Sequence, residues 1–304
     1  MKNSKPHIIN SVSQLHHFLN IKKPTHPLIS VVNLEDIDLN VAEEMKTMVY
    51  NFYSVYLKKN CDGKVKYGQQ YYDFDDGIMT FLSPKQVLSI EVNSSLKVEG
   101  WMIVFHPDFI QSYSLAKRIK EYGFFSYANI EALHLSDKEE IMISGLIQNL
   151  QQEIEAMIDN YTQDVVVSHL DLLLNYSNRF YNRQFITRKK ASNDLLLKFE
   201  DLLNAYYQND DLSVSGLPSV QYFTEKLFVS AHYLNDMLKN LTGQTTQQHI
   251  QNQLLEKAKE LLSTTELSVS EIAYQLGFEY PQSFSKVFKN KTNQTPLEFR
   301  QSFN

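Results

Sequence analysis

One cysteine, Cys61, is present in 304 residues, so no disulfide can form within the chain. A disulfide-stapled secreted scaffold is excluded, and the fold must rest on packing. Glycine (9) and proline (8) are scarce, which excludes collagen-like and low-complexity chains. Long apolar runs are missing as well. Val165-Val166-Val167 is bounded by Asp164 and Ser168, and no stretch approaches the ~20 residues of a membrane helix. No apolar segment follows Met1-Lys2-Asn3-Ser4-Lys5-Pro6, so no secretory signal and a cytoplasmic location are expected. The histidines between residues 25 and 110 are His26 and His106, far apart in sequence. Asp73, Asp75, Asp76, Glu91 and Glu99 have no histidine at ligand spacing, so neither a metal, a cofactor nor an enzymatic activity is expected. His16-His17 is expected to be exposed, and Cys61 to be structural, since no base is identifiable beside it.

Excess positive charge is absent overall, at a formal net charge of -6, but it is unevenly spread. Residues 1–178 carry 15 Lys/Arg against 22 Asp/Glu. Arg179, Arg183, Arg188, Lys189 and Lys190 then follow without an acid, and residues 193–304 carry 9 basic against 13 acidic residues. Near the end, Lys286, Lys289, Lys291 and Arg300 face Glu298 alone. Because phosphates sense charge within ~10 Å, this local excess counts for more than the net.

The length suggests two domains, at ~150 residues each. Residues 28–32, 50–57, 78–82 and 100–105 are rich in β-branched and aromatic residues and read as strands. Turn signals separate them at Cys61-Asp62-Gly63-Lys64, Asp75-Asp76-Gly77, Ser83-Pro84 and His106-Pro107. Short strands without intervening helices predict an antiparallel sandwich or barrel. Beyond Pro107 the period lengthens. Ile143, Ile147, Leu150, Ile154 and Met157 form one helical stripe, and Val166, His169, Leu173, Tyr176 and Phe180 a second. This helical hairpin, over about 112–185, either covers the strands or dimerises the chain. The expected division is 1–185, a basic linker over 186–192, and an all-α domain over 193–304. In the last of these, Asn193 or Asp194 caps a helix carrying Leu195, Phe199, Leu202 and Tyr206. Asp210-Asp211 and Ser215-Gly216-Leu217-Pro218 break it.

Two helix pairs with tight turns follow. In the first, Val220, Phe223 and Leu227 form the buried face, Val229 packs in the turn, and Ser230 caps a second helix carrying Leu234 and Leu238. In the second, Val269, Ile272, Ala273 and Leu276 precede Gly277, a left-handed helix terminator. Phe278 anchors that turn, Pro281 starts the next helix, and Phe284, Val287 and Phe288 form its inner face. A helix from about Gln247 to Leu262 joins the pairs. This is the geometry that sets a helix into the major groove.

Glu256-Lys257-Ala258-Lys259-Glu260-Leu261-Leu262, Val269-Ser270-Glu271-Ile272-Ala273-Tyr274-Gln275-Leu276-Gly277-Phe278, Ser283-Phe284-Ser285-Lys286-Val287-Phe288-Lys289 and Thr295-Pro296-Leu297-Glu298-Phe299-Arg300 follow in order. Over about 220–300 the chain thereby resembles the DNA-binding domain of AraC/XylS bacterial transcription regulators. The resemblance implies two helix-turn-helix units, each recognition helix entering one of two successive major-groove segments of double-stranded DNA. His232, Asn235 and Asp236 match the family's base-contact positions in the first helix, and Pro281, Gln282 and Lys286 in the second. Asn235 and Gln282 suit adenine and Lys286 guanine, while Asp236 suits cytosine N4 or else a local cap or turn contact. Ser230, Ser283, Lys239 and Lys289 suit phosphates. Leu254 departs from the family's frequent arginine on the connecting helix, and Asn293 from its usual glycine.

The resemblance also implies an α+β protein whose N-terminal half is a cupin-like antiparallel β-barrel with flanking helices, serving as a sensor or dimerisation unit. Phe52, Tyr53, Tyr56, Phe81, Trp101 and Phe105 are the expected lining of an effector pocket, or else the packed core of a small barrel. Candidate partners besides DNA are RNA polymerase, a small-molecule effector and a second copy of the chain. The acidic balance of 193–304 leaves open a scaffold whose helix pairs contact proteins, and a cupin-type enzyme would require a metal.

Overall fold

The computed structural model describes residues 7–37, 48–59, 61–67, 70–74, 77–88, 99–128, 131–187, 189–208 and 216–302. The chain divides into two compact units, Met1–Gln184 and Phe185–Asn304.

The first unit contains β1 (His7–Ile9), α1 (Val12–Phe18), β2 (Ile29–Asn33), β3 (Met48–Tyr50), β4 (Tyr53–Lys59), β5 (Cys61–Tyr67), β6 (Gln70–Phe74), β7 (Ile78–Leu82), β8 (Val87–Leu88) and β9 (Glu99–Phe105). Then come α2 (Pro107–Ile110), α3 (Leu115–Arg118), β10 (Leu133–His134), α4 (Asp137–Glu155) and α5 (Thr162–Thr187). The main sheet is antiparallel, in the order β10-β7-β4-β9-β2. A second sheet orders β1-β3-β8, and β5 pairs with β6 alone.

The register assigns side chains to faces, because alternate residues point to opposite sides of a strand. Tyr53 pairs with Phe105, Val55 with Ile103 and Phe81, and Leu57 with Trp101, so these share one face. Tyr56 and Met102 occupy the other. That second face joins Val12 and Leu15 of α1 with Met48, Tyr50, Phe52 and Leu88 in one buried cluster. On the first face Tyr53 stacks on Phe105 with ring centroids 5.2 Å apart, and Phe81 meets Phe124 at 4.5 Å and Tyr181 of α5 at 6.1 Å. Two apolar faces thus bury one sheet between a smaller sheet and helices.

Several expectations need correction. Among the described residues the strands form three separate sheets rather than a closed barrel, and the β1–β3 pair is parallel. The turn expected at Cys61-Asp62-Gly63-Lys64 lies within β5. The register shifts between Cys61 and Val65, so these residues interrupt the ladder without ending the strand, and the β5–β6 ribbon pairs with no other strand described. Asp75, Asp76 and Glu91 lie outside the described residues, as does the side chain of Cys61. His16 is buried, its Nε2 2.9 Å from Ser30 Oγ and its Nδ1 against the Lys22 carbonyl, whereas His17 is exposed.

The helical stripes hold for Ile143, Ile147, Leu150 and Ile154, all buried on α4. Met157 falls past the helix end and is exposed. On α5, Val166, Leu173 and Phe180 are buried, while His169 and Tyr176 are half-buried. A capping box starts α4, with the Ser136 N–H donating to Glu139 Oε2 at 2.9 Å. Arg183 of α5 donates to the same carboxylate at 2.6 Å and to the His134 carbonyl at 3.0 Å. Arg179 and Arg183 lie on α5, which runs to Thr187, and the next helix begins at Lys189, so helix occupies most of the segment expected as a linker. Arg188 lies outside the described residues.

Candidate nucleic-acid interface

The second unit continues with α6 (Lys189–Gln208), α7 (Val220–Leu227), α8 (Ala231–Thr242), α9 (Thr246–Thr264), α10 (Val269–Gln275), α11 (Pro281–Thr292) and α12 (Pro296–Gln301). Because α6 starts at Lys189, Asn193 and Asp194 lie inside it rather than capping it. Of the expected break, Asp210, Asp211 and Ser215 lie outside the described residues, and Gly216, Leu217 and Pro218 lie between helices as expected.

Serine and threonine set the helix starts here, their hydroxyls accepting otherwise orphaned backbone N–H groups. Ser219 Oγ accepts from Tyr222 at 3.2 Å to begin α7, and Ser230 Oγ accepts from Tyr233 at 3.2 Å to begin α8. Phe223, Leu234, Met237 and Leu238 are fully buried between them, whereas Val220 and Leu227 are only half-buried. Gly243 ends α8 at a φ of 75°. The first helix pair is thus a capped helix, a tight turn over 228–230 and a second capped helix, the one expected to enter the groove.

The second pair repeats the helix–turn–helix plan with different starts: a capping box begins α10, whereas α11 begins at Tyr280-Pro281 without a side-chain cap bond. Ser268 and Glu271 form a capping box on α10, and Thr295 and Glu298 form one on α12. Hydrogen bonds from these cap groups hold the Glu271 and Glu298 carboxyls below their ordinary pKa, so both are ionised at neutral pH. Gly277 turns the chain at a φ of 83°, and Pro281 occupies the first turn of α11, where no N–H is needed. Phe284 and Phe288 are buried in line, and the Phe288 ring meets Phe299 of α12 at 5.5 Å. Asn293 closes α11 at a φ of 61°, the conformation that the usual glycine would take.

Helix α9 holds the two pairs together. A Thr245–Gln248 capping box starts it, and Leu254 is buried on it, which accounts for an apolar residue at that position. Thr242 Oγ1 lies 2.8 Å from His249 Nε2, and burial lowers the His249 pKa. At its far end Arg300 donates to the Leu262 carbonyl at 3.2 Å and to the Leu267 carbonyl at 2.6 Å. By charge alone Arg300 belongs with Lys286, Lys289 and Lys291 in the basic cluster near the end of the sequence. Its guanidinium instead satisfies carbonyls at the end of α9 and in the loop that follows.

The expected contact residues fall into two groups. His232, Lys239, Gln282, Ser283, Lys286 and Lys289 are exposed on α8 and α11. Ser230, Asn235, Asp236 and Pro281 are half-buried. Asn235 Oδ1 accepts from the Thr246 N–H at 3.4 Å, and its Nδ2 donates to Asp236 Oδ1 at 3.5 Å. Both are long and weak, but they turn Asn235 toward the start of α9. An adenine contact by Asn235 must compete with them. Two exposed aromatics that the sequence did not single out, Phe228 and Tyr280, stand directly before the recognition helices.

The six aromatics expected to line an effector pocket are split between the two faces of the main sheet, so one pocket cannot hold them all. The cavity beside β2, about 530 Å³, is lined instead by residues that include His16, Lys22, Lys23, Asn33, Asp36 and Gln151. Among the described residues, no group of three His, Cys, Asp or Glu could hold a metal ion. No described helix is long and apolar enough to cross a membrane.

Residues 223–302 match a protein family described as a helix-turn-helix domain. The chain is 40% identical over 93 residues to the uncharacterized transcriptional regulatory protein YesN of Bacillus subtilis, a match covering 30% of this chain and 25% of that protein. It is 38% identical over 77 residues to the transcriptional activator RhaS of Escherichia coli, covering 25% of this chain and 28% of the relative. Among solved structures, the C-terminal domain of the two-component response regulator yesN from Fusobacterium nucleatum is 33% identical. That match covers 34% of this chain and 93% of the other, at a TM-score of 0.30. The chain spans about a quarter of the length of these two curated relatives.

Proposed function

Because residues 223–302 form a helix-turn-helix domain of the AraC/XylS type, we propose that the chain is a sequence-specific DNA-binding transcription regulator. The observation that carries this reading is the doubled unit. Two recognition helices, α8 and α11, present exposed polar and cationic side chains from a single scaffold built on α9. On a duplex they enter major-groove segments about one helical turn (~34 Å) apart. Gln282 and Lys286 read base edges, whereas Ser283, Lys239 and Lys289 set the register on phosphates. His232, Asn235, Asp236, Ser230 and Pro281 complete the interface, with Asn235 giving up its tether to Thr246.

Substitution separates the two kinds of contact. Gln282→Ala is expected to weaken binding to the preferred site about tenfold or more while leaving non-specific binding unchanged. Lys289→Gln is expected to weaken binding equally on all sequences and to lower the slope of log affinity against log salt by about one. Fluorescence anisotropy on cognate and scrambled duplexes over a salt series measures both. A salt slope near zero for the unaltered chain would instead favour protein contacts through these helices, the reading that the acidic balance of 193–304 supports.

The first unit is assigned the sensing role. Its cavity beside β2 is within the ~300–1,000 Å³ of small-molecule sites. An effector acts there only through different affinities for DNA-competent and incompetent states. RNA polymerase and a second copy of the chain are the proposed protein partners, the cytoplasm is the proposed location, and no catalytic step is assigned.

A further inference from the structure

Phe228 holds a backbone conformation that disfavours its side chain, and the fold makes little use of that side chain. Its φ of 57° and ψ of 41° are left-handed. There Cβ crowds the following carbonyl, so glycine is preferred. The ring is 80% exposed. The second helix pair meets the same requirement with Gly277, at a φ of 83°. The two turns are equivalent. In each, the next amide reaches back five residues, from Val229 to the Thr224 carbonyl at 3.2 Å and from Phe278 to the Ala273 carbonyl at 2.9 Å. Glycine would therefore serve at 228. The chain carries instead a large aromatic that neither relaxes the turn nor fills the core. Residues held in such sparsely populated backbone conformations cluster at ligand-contacting sites.

The position of Phe228 indicates which ligand that is. Phe228 stands two residues before Ser230, the cap of α8. Tyr280 stands at the cap of α11, is 58% exposed, and makes no side-chain cap bond. Each recognition helix is therefore entered past an outward aromatic. The first residues of a recognition helix meet base edges, so a residue just before its cap lies at the rim of the groove, where the sugar–phosphate strand passes.

We propose that Phe228 is a DNA-contact residue whose ring packs on deoxyribose and thymine methyl groups at the groove edge, with Tyr280, at the cap of α11, making a similar contact beside the second recognition helix. This rests on the DNA-binding reading above. An uncharged ring suits a unit whose net charge is negative, because its contact displaces no counterions and is not screened by salt.

The test uses the full chain, a duplex carrying its selected site, and the variants Phe228→Asn and Phe228→Tyr. Asparagine tolerates the left-handed region, as Asn293 does in this same unit. F228N is expected to lose about tenfold in affinity, with the salt slope unchanged and a thermal midpoint at or above that of the unaltered protein. F228Y is expected to bind within about twofold of the unaltered protein. F228N affinity within twofold of the unaltered protein would overturn the proposal. So would a lowered midpoint accompanying the affinity loss, since the ring would then be supporting the fold, and so would a changed salt slope. If the unaltered protein binds no duplex, the regulator reading itself fails and this contact falls with it. Loss in F228N alone distinguishes the two.

Discussion

Replacing Phe288 by alanine is expected to remove DNA binding altogether and to destabilise the second unit by about 3–5 kcal/mol. The side chain is fully buried on α11. Its ring meets Phe284 at 5.8 Å and Phe299 at 5.5 Å, and so joins the second recognition helix to α12. Truncation leaves a cavity among aromatics that cannot all collapse into it. Helix α11 loses its seat, while the exposed residues proposed to read bases, Gln282 and Lys286, are unchanged. Urea titration followed by helical circular dichroism measures the stability, and anisotropy measures binding. Wild-type affinity in a destabilised F288A would contradict the need for a fixed α11. A loss of stability below 1 kcal/mol would contradict the packing itself.

Gly100→Ala is expected to destabilise the first unit by about 3 kcal/mol or more. Gly100 holds a φ of 128°, and an added Cβ would lie 2.0 Å from the Leu57 carbonyl oxygen on β4. That oxygen belongs to the backbone of the central strand of the main sheet, where Lys58 pairs with Gly100, so it cannot step aside without parting β4 from β9. Gly243→Ala is the internal comparison. Gly243 also has a positive φ, but nothing lies within 4 Å of the added Cβ, so the cost is limited to backbone strain of about 1–2 kcal/mol. Equal losses in the two variants, by chemical denaturation, would show that contact with Leu57 is unimportant.

The second unit was legible because its signals are local. Ser219, Ser230, Ser268 and Thr295 each cap the helix that follows, and Gly277 and Asn293 each end one. Such signals act within four residues and need no knowledge of the rest of the fold. The first unit depends on pairings that no local pattern encodes. β1 lies beside β3 across about forty residues, in parallel, and β5 carries the residues of an apparent turn within the strand, at a register shift. The strands of the main sheet at β2, β4, β7 and β9 could be read, but β1, β5, β6, β8, β10 and the pairing order could not. At the candidate site, exposure of Gln282, Lys286 and Lys289 follows from helical phase. The tether on Asn235 and the anchoring by Arg300 depend on where α9 passes, and spacing along the sequence does not reveal that. Phe228 was hidden for the opposite reason, because a left-handed turn residue is expected to be glycine.

The central claim is that α8 and α11 read two successive stretches of one duplex. Selection of binding sites by the full-length protein from a random duplex library, at about 0.1 M salt, tests it most directly. The account predicts enrichment of two short blocks about 10 base pairs apart, with the block under α11 weakened by Gln282→Ala. A library that emerges unenriched, or a single block insensitive to substitutions on α11, would contradict it.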